Sequence, residues 1–226
     1  MMKKTNEKKQ ERVTPIYYSS TEDLLSALTH GIGALFGIFA LCYMTVRSAR
    51  SSSAMAVVAS VIYGASLIVL YTISTLSHTL TNRSAKKVFR ILDHATIFLL
   101  IAGTYTPVTL ITLKGALGWT IFGIQWGIAA IGIIFDAIAL NRFKKYTTPL
   151  YVIMGWAIIF AAYPMILNMA PAGLIYLLGG GIFYSVGYLF YRLKKPNMHF
   201  LWHLFALMGS ILQFIAVCNY VLPPAF

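Results

Sequence analysis

Two histidines four residues apart, His199 and His203, open the last apolar stretch of the chain. On a helix that spacing puts both imidazoles on one face, one turn apart. It is a spacing by which two histidines grip one metal ion, although two histidines beside lipid headgroups would share it. A third histidine, His78, lies at the same depth, and Ser74 precedes it by one helical turn, so that a hydroxyl and an imidazole could face one spot. A serine there can equally bond back to a carbonyl of its own helix. Asp93 adds a carboxylate. It could orient a metal-bound water or take its proton, or it could simply sit at the positive end of a helix dipole. Three histidines and one water form the open tetrahedral arrangement of catalytic zinc. The pattern His-Glu-x-x-His is absent, which excludes a zincin protease. His94 points about 100° away from Asp93 around a helix; it could be a fourth ligand, but it reads first as a hydrogen-bonding neighbour. His30 and Asp136 read as partners of each other or of backbone groups, ahead of metal ligation.

The elements that position these residues follow from composition. Of 226 residues, 58% are hydrophobic and 11% charged, and the mean hydropathy is +0.74. That excludes a disordered chain, and it is more apolar surface than one soluble core of this size can hide. The apolar runs are approximately residues 24–46, 54–78, 92–113, 117–140, 148–168, 172–191 and 200–222. Each is long enough to cross the hydrocarbon as a helix, and too long and uniformly apolar for a barrel strand. The expectation is an all-α, seven-helix membrane bundle (residues 24–222) behind a polar, basic N-terminal segment (residues 1–23). That segment has no apolar stretch, and the first run is long enough to span rather than be cleaved. Cys42 and Cys218 both lie in apolar runs and read as packing residues rather than a disulfide pair.

The net charge of +12 would suggest nucleic acid in a soluble protein. Here the basic residues sit between apolar runs, so membrane headgroups are the expected partners and nucleic acid is not. Lys and Arg number 15 in the N-terminal segment and the second, fourth and sixth loops, against three on the other side (Arg47, Arg50 and Lys114). Basic loops stay cytoplasmic, which predicts the N-terminus inside and the C-terminus outside. That topology puts the sequon at Asn82 inside. It also brings His30, His78, Asp93, His94, Asp136, His199 and His203 to the cytoplasmic ends of five helices. Ionisable groups at bilayer depth cost about 2.5 to 3.5 kcal/mol each on insertion scales. Seven of them in one leaflet favour a site over a path across the bilayer.

These residues resemble the bacterial hemolysin III proteins, which are related to the progestin and adipoQ receptors. The resemblance rests on Thr29-His30-Gly31, Ser74-x-x-x-His78, Leu92-Asp93-His94-Ala95, the run Ala102-Gly103-Thr104-Tyr105-Thr106-Pro107, Gly155-Trp156, Gly179–Gly181 with Tyr184, and His199-x-x-x-His203. It covers nearly the whole chain from about residue 20. It implies a seven-helix bundle in the bacterial cytoplasmic membrane with the N-terminus inside. It also implies Zn2+ near the cytoplasmic face held by His78, His199 and His203, with Asp93 reaching the metal through water and Ser74 beside it. The wider superfamily includes alkaline ceramidases, which implies a metal-dependent hydrolase of a lipid-like amide or ester. The family name implies a second function, pore formation or cytolysis.

A membrane-state or lipid sensor with structural zinc, and a small transporter, complete the alternatives. No soluble precursor or amphipathic insertion segment supports the pore. Among lesser features, Gly33-x-x-x-Gly37 and Gly123-x-x-x-Gly127 could allow close helix contacts. The Gly179–Gly181 run could make the sixth helix pliable or let the seventh approach it. Trp119 and Tyr220 suit the outer interface. Pro107 and Pro164 could kink helices and open space in the outer half.

Overall fold

The computed structural model describes residues 19–193 and 195–224, apart from the side chains of residues 139, 141 and 144. The five basic residues of the extreme N-terminus, Lys3 to Arg12, lie outside the described residues. Within them there are seven helices long and apolar enough to cross a membrane, and no strand. They are α1 (Ser20–Arg50), α2 (Ala54–Thr79), α3 (Arg83–Leu113), α4 (Gly115–Ile138), α5 (Lys145–Asn168), α6 (Pro171–Arg192) and α7 (Met198–Val221).

Several helices run past the apolar stretches that announce them, because polar side chains cap their ends. Ser19 Oγ accepts from the Glu22 N–H at 3.1 Å, and Ser53 Oγ from Ala56 N–H at 3.2 Å. Asn82, the sequon residue, accepts from the N–H groups of Ser84 and Ala85 and so starts α3 well before its apolar run. The N-terminal cap has a consequence for the site: Glu22 and Asp23 belong to the first turn of α1.

Helices α1, α2, α3 and α4 pack in succession, α6 packs on α7, and α7 returns to α1. Helical backbone is continuous from Gly115 to Trp156. A straight helix would separate Gln125 from Met154 by about 43 Å, yet Gln125 Nε2 donates to the Met154 carbonyl at 3.1 Å. The chain therefore doubles back between Asp136 and Thr147. Asp136, fully buried, clamps the turn by accepting from Thr147 Oγ1 at 2.9 Å and Tyr151 Oη at 3.0 Å. The expected pairing of Asp136 with His30 is not made; His30 meets His203 instead.

Where α5 passes through a 3-10 segment, Ala157–Ala161, its ladder is interrupted ahead of Pro164. Tyr105 of α3 takes up the loose ends: its hydroxyl donates to the Gly155 carbonyl at 2.9 Å and accepts from the Ile158 N–H at 2.8 Å. In lipid such groups need an internal partner. Beyond Pro107, α3 widens into a π turn, Val108–Leu113.

The core holds Met44, Tyr63, Leu67, Tyr71 and Phe98, all fully buried. The outer surface is just as apolar: Phe160 is 92% exposed, Tyr163 74% and Ile138 73%. Water does not tolerate that surface, and lipid does. Cys42 faces outward on this surface, contrary to its expected packing role, whereas Cys218 is buried. Gly33 and Gly37 do make a close approach, since a methyl on Gly33 would lie 2.5 Å from the Tyr71 ring. Gly123 and Gly127 do not, having nothing within 4 Å. In the glycine run of α6, Gly180 lets α7 approach: a methyl there would lie 3.0 Å from the Gly209 carbonyl oxygen.

Candidate metal centre

The start of α7 carries His199 and His203, and the end of α2 carries His78. The fold brings the three together, with one ring nitrogen from each within 4.8 Å of the others. His78 Nε2 and His199 Nε2 are 3.3 Å apart, and His199 Nε2 and His203 Nε2 are 2.8 Å apart. His203 is fully buried, His78 nearly so, and His199 partly.

Such a set can hold a metal ion. Two ligands on a tetrahedral ion with metal–nitrogen bonds of about 2.05 Å are about 3.3 Å apart. The His78–His199 spacing equals that, the His199–His203 spacing is half an ångström tighter, and the His78–His203 pair lies within 4.8 Å. The donor chemistry agrees. His78 Nδ1 lies 2.8 Å from Asp23 Oδ1, so it carries the proton and its Nε2 presents a lone pair to the cluster. A fourth polar atom waits nearby: Ser74 Oγ is buried and makes no hydrogen bond of ordinary geometry, although the Asp93 carboxyl is its neighbour. It does not bond back to its own helix; Ser77 Oγ donates to the Ser74 carbonyl instead, at 2.9 Å.

Asp93, at the wall of the same cavity as His199 and His203, has its Oδ2 within 3.4 Å of Ser77 Oγ. His94 also lines that cavity but is not one of the converging three; its carbonyl accepts from Tyr151 Oη at 3.1 Å. His30 is buried against His203, with His203 Nδ1 2.7 Å from His30 Nε2.

Two residues of this site escape sequence reasoning. Asp23 holds His78 with one oxygen and Lys86 Nζ with the other, both at 2.8 Å. Glu22, only 5% exposed, accepts the backbone N–H of His199 at 3.2 Å. A signal existed. Ser19-x-x-Glu22 is a helix-start pattern, and Asp23 and His30 are seven residues apart, which is one helix face.

Beyond the histidines a cavity extends into the bundle between α3, α5, α6 and α7, with about 1500 Å³ of atom-free space, part of it open to the outside. Its wall runs from Asp93 to Val108 on α3 and from His199 to Gln213 on α7. Those stretches are about 20 Å long at 1.5 Å per residue. The histidines and Asp93 crowd at one end, and the rest is mostly apolar, with residues such as Leu100, Ile101 and Leu177 and a few neutral polar groups such as Thr104 and Gln213.

A sequence model of haemolysin-III-related proteins matches residues 18–214. The chain is 47% identical over 216 residues to "Hemolysin-3" of Bacillus cereus, covering 95% of this chain and 99% of that protein. It is 41% identical over 210 residues to "Hemolysin-3 homolog" of Bacillus subtilis, covering 92% and 99%. A more distant likeness, 27% over 170 residues, joins it to the human "Monocyte to macrophage differentiation factor", of the progestin and adipoQ receptor group, covering 71% of this chain and 69% of that one.

Proposed function

We propose that this chain, which belongs to the haemolysin-III-related family and is a multi-pass protein of the bacterial plasma membrane, is a zinc-dependent hydrolase of a lipid-like amide or ester. One observation carries the reading: three imidazole nitrogens converge at one end of a long, mostly apolar cavity inside a membrane bundle. A scissile carbonyl at the histidines with an acyl chain along α3 and α7 would use both features. The excess of basic residues on the loops at the histidine end supports a cytoplasmic site and a cytoplasmic N-terminus.

His78, His199 and His203 would hold the ion through their Nε2 atoms. Bound zinc supplies a Lewis acid that polarises the carbonyl and acidifies water. Borderline-soft zinc suits an all-imidazole donor set better than magnesium or calcium, which prefer oxygen. Asp93 is the carboxylate with the capacity to take a proton from the attacking water and return it to the leaving group. The Ser74 hydroxyl, beside the Asp93 carboxyl, would help to orient that water. The apolar walls keep bulk water from the carbonyl.

The test is metal content by mass spectrometry on protein purified without chelator, followed by assay on ceramide, lysolipid and N-acyl amide. The expected result is about one zinc per chain, and cleavage of one substrate class that Asp93→Asn abolishes without loss of zinc. Failure of the loaded protein on all three classes, in an assay where an authentic ceramidase works, would overturn the hydrolase. The name of the Bacillus relatives favours a second reading, a pore-forming protein. It predicts dose-dependent dye release from liposomes, and insertion without leakage rejects it.

A further inference from the structure

Each of the three converging histidine residues has a contact from α1, two through the ring and one through the backbone. Asp23 Oδ1 takes the Nδ1 of His78. His30 faces the Nδ1 of His203, with the two rings edge to face at 3.9 Å between centroids. Glu22 accepts the backbone N–H of His199. The last contact matters because Asn197, the residue before α7, is in the left-handed region and its side chain does not cap the helix. Glu22 is thus the cap of a helix 177 residues away in sequence. None of the three is among the converging ligand atoms.

We propose that the opening turns of α1 are the positioning layer of the histidine cluster: Asp23 fixes the tautomer of His78, His30 packs against the ring of His203, and Glu22 anchors the backbone that carries His199. The inference rests on the metal reading above and deepens it. The physical case is strongest at Asp23. A neutral imidazole can hold its proton on either nitrogen, and the wrong tautomer would point N–H at the ion. The carboxylate forces the proton to Nδ1 and leaves Nε2 as a donor of electrons. The other carboxylate oxygen of Asp23 accepts from Lys86 Nζ at 2.8 Å, an ion pair that ties α1 to α3. At His203, fully buried, no water can stand in for His30. Gly33, one turn on from His30, admits the Tyr71 ring, which packs edge-on against His30 at 4.8 Å and holds it in place.

The test uses the full chain in detergent, with zinc itself as the probe. Zinc affinity is read by competition with a chromophoric chelator for wild type, Asp23→Asn, His30→Phe and Lys86→Met. The histidine tautomers of the zinc-free protein are read by ring-nitrogen NMR. Asp23→Asn and His30→Phe are expected to weaken zinc by about ten- to a hundredfold, the range for outer-shell partners of metal ligands. Asp23→Asn should also turn a fixed His78 tautomer into a mixture. Lys86→Met, which removes the α1–α3 ion pair but keeps the His78 contact, should change affinity by less than about threefold. Equal weakening by Lys86→Met and Asp23→Asn would mean that α1 merely braces the bundle, and would overturn the proposal. So would unchanged affinity in Asp23→Asn and His30→Phe. A wild type that takes up no zinc sinks the metal reading instead, and the tautomer measurement then decides the positioning role alone.

Discussion

The two halves of this bundle handle buried polarity in opposite ways. At the histidine end, polar side chains reach across helices and meet ionisable partners: Asp23 on His78 and Lys86, His30 on His203, Glu22 on α7. Deeper along the bundle, the polar groups are mostly neutral hydroxyls, with the amides of Gln125 and Gln213, and many of the hydroxyls bond to their own helix. Thr104, Thr106 and Thr109 each donate to a carbonyl one turn back, and Ser66 does so to Tyr63. Where hydroxyls cross helices, as in Tyr71–Ser210–Tyr184 at 2.6 Å per step, they satisfy one another. A neutral hydroxyl satisfied locally is cheap in a bilayer, and an ionisable group is not. Ionisable clustering at one end therefore marks chemistry, while the hydroxyls of the other half mark stability. A conducting path would need ionisable or wet groups through both.

That contrast can be broken most severely at His203. His203→Ala should reduce bound metal from about one per chain to background, while the deep hydroxyl cluster keeps the bundle folded. Retention of the metal would show that the ligand set is drawn wrongly.

Asp136 tests the contrast from the other side, since it is an acid at the histidine end that the site does not use. Its clamp on Thr147 and Tyr151 makes it structural. Asp136→Ala leaves the buried Thr147 hydroxyl without its acceptor and Tyr151 with only the His94 carbonyl, and should destabilise the protein by about 1–3 kcal/mol, read as a shift in thermal unfolding. Zinc content per folded chain should not change. If zinc is lost while the melting temperature holds, Asp136 belongs to the site after all.

Next comes the cavity. Thr104 lines it well away from the histidines. Thr104→Trp should fill the space meant for an acyl chain and lower lipid hydrolysis by more than about tenfold, some 1.4 kcal/mol, with metal content intact. Equal loss on a short-chain analogue would point to distortion of the site rather than to a blocked chain.

The same contrast explains what could be read from residues alone. Seven spans are legible because lipid demands long apolar helices, and no local interaction overrides that demand. His78, His199 and His203 are legible because an imidazole in such a helix needs a reason. The positioning residues were hidden for the opposite cause. Glu22 and Asp23 stand beside a polar segment in which an acid needs no explanation; only the cap at Ser19 shows that they are already inside the helix. The partner of His30 was likewise out of reach, because helix order around the ring decides whether α4 or α7 faces it, and hydrophobic periodicity does not encode that order. Ser74 could be read as neighbouring a site, but that its hydroxyl faces the Asp93 carboxyl rather than its own helix depends on how α3 packs against α2.

Glycine spacing was the least informative signal, and it supports the smallest effect. Gly33-x-x-x-Gly37 and Gly123-x-x-x-Gly127 are the same pattern in sequence, yet a methyl on Gly33 meets Tyr71 at 2.5 Å and a methyl on Gly123 meets nothing within 4 Å. Gly33→Ala forces the ring that supports His30 to move and should cost about 1–3 kcal/mol. The double change Gly123→Ala and Gly127→Ala should leave stability unchanged or raise it by about 0.5 kcal/mol per site, because alanine loses less backbone freedom than glycine in forming a helix. The lipid-facing side of α4 then has room for both methyls and no use for their absence. A loss of stability from the double change, together with a smaller particle in detergent, would mean that the small-residue face of α4 packs against a second copy. The motif would then have the same purpose in both helices, with the partner of α4 in another chain.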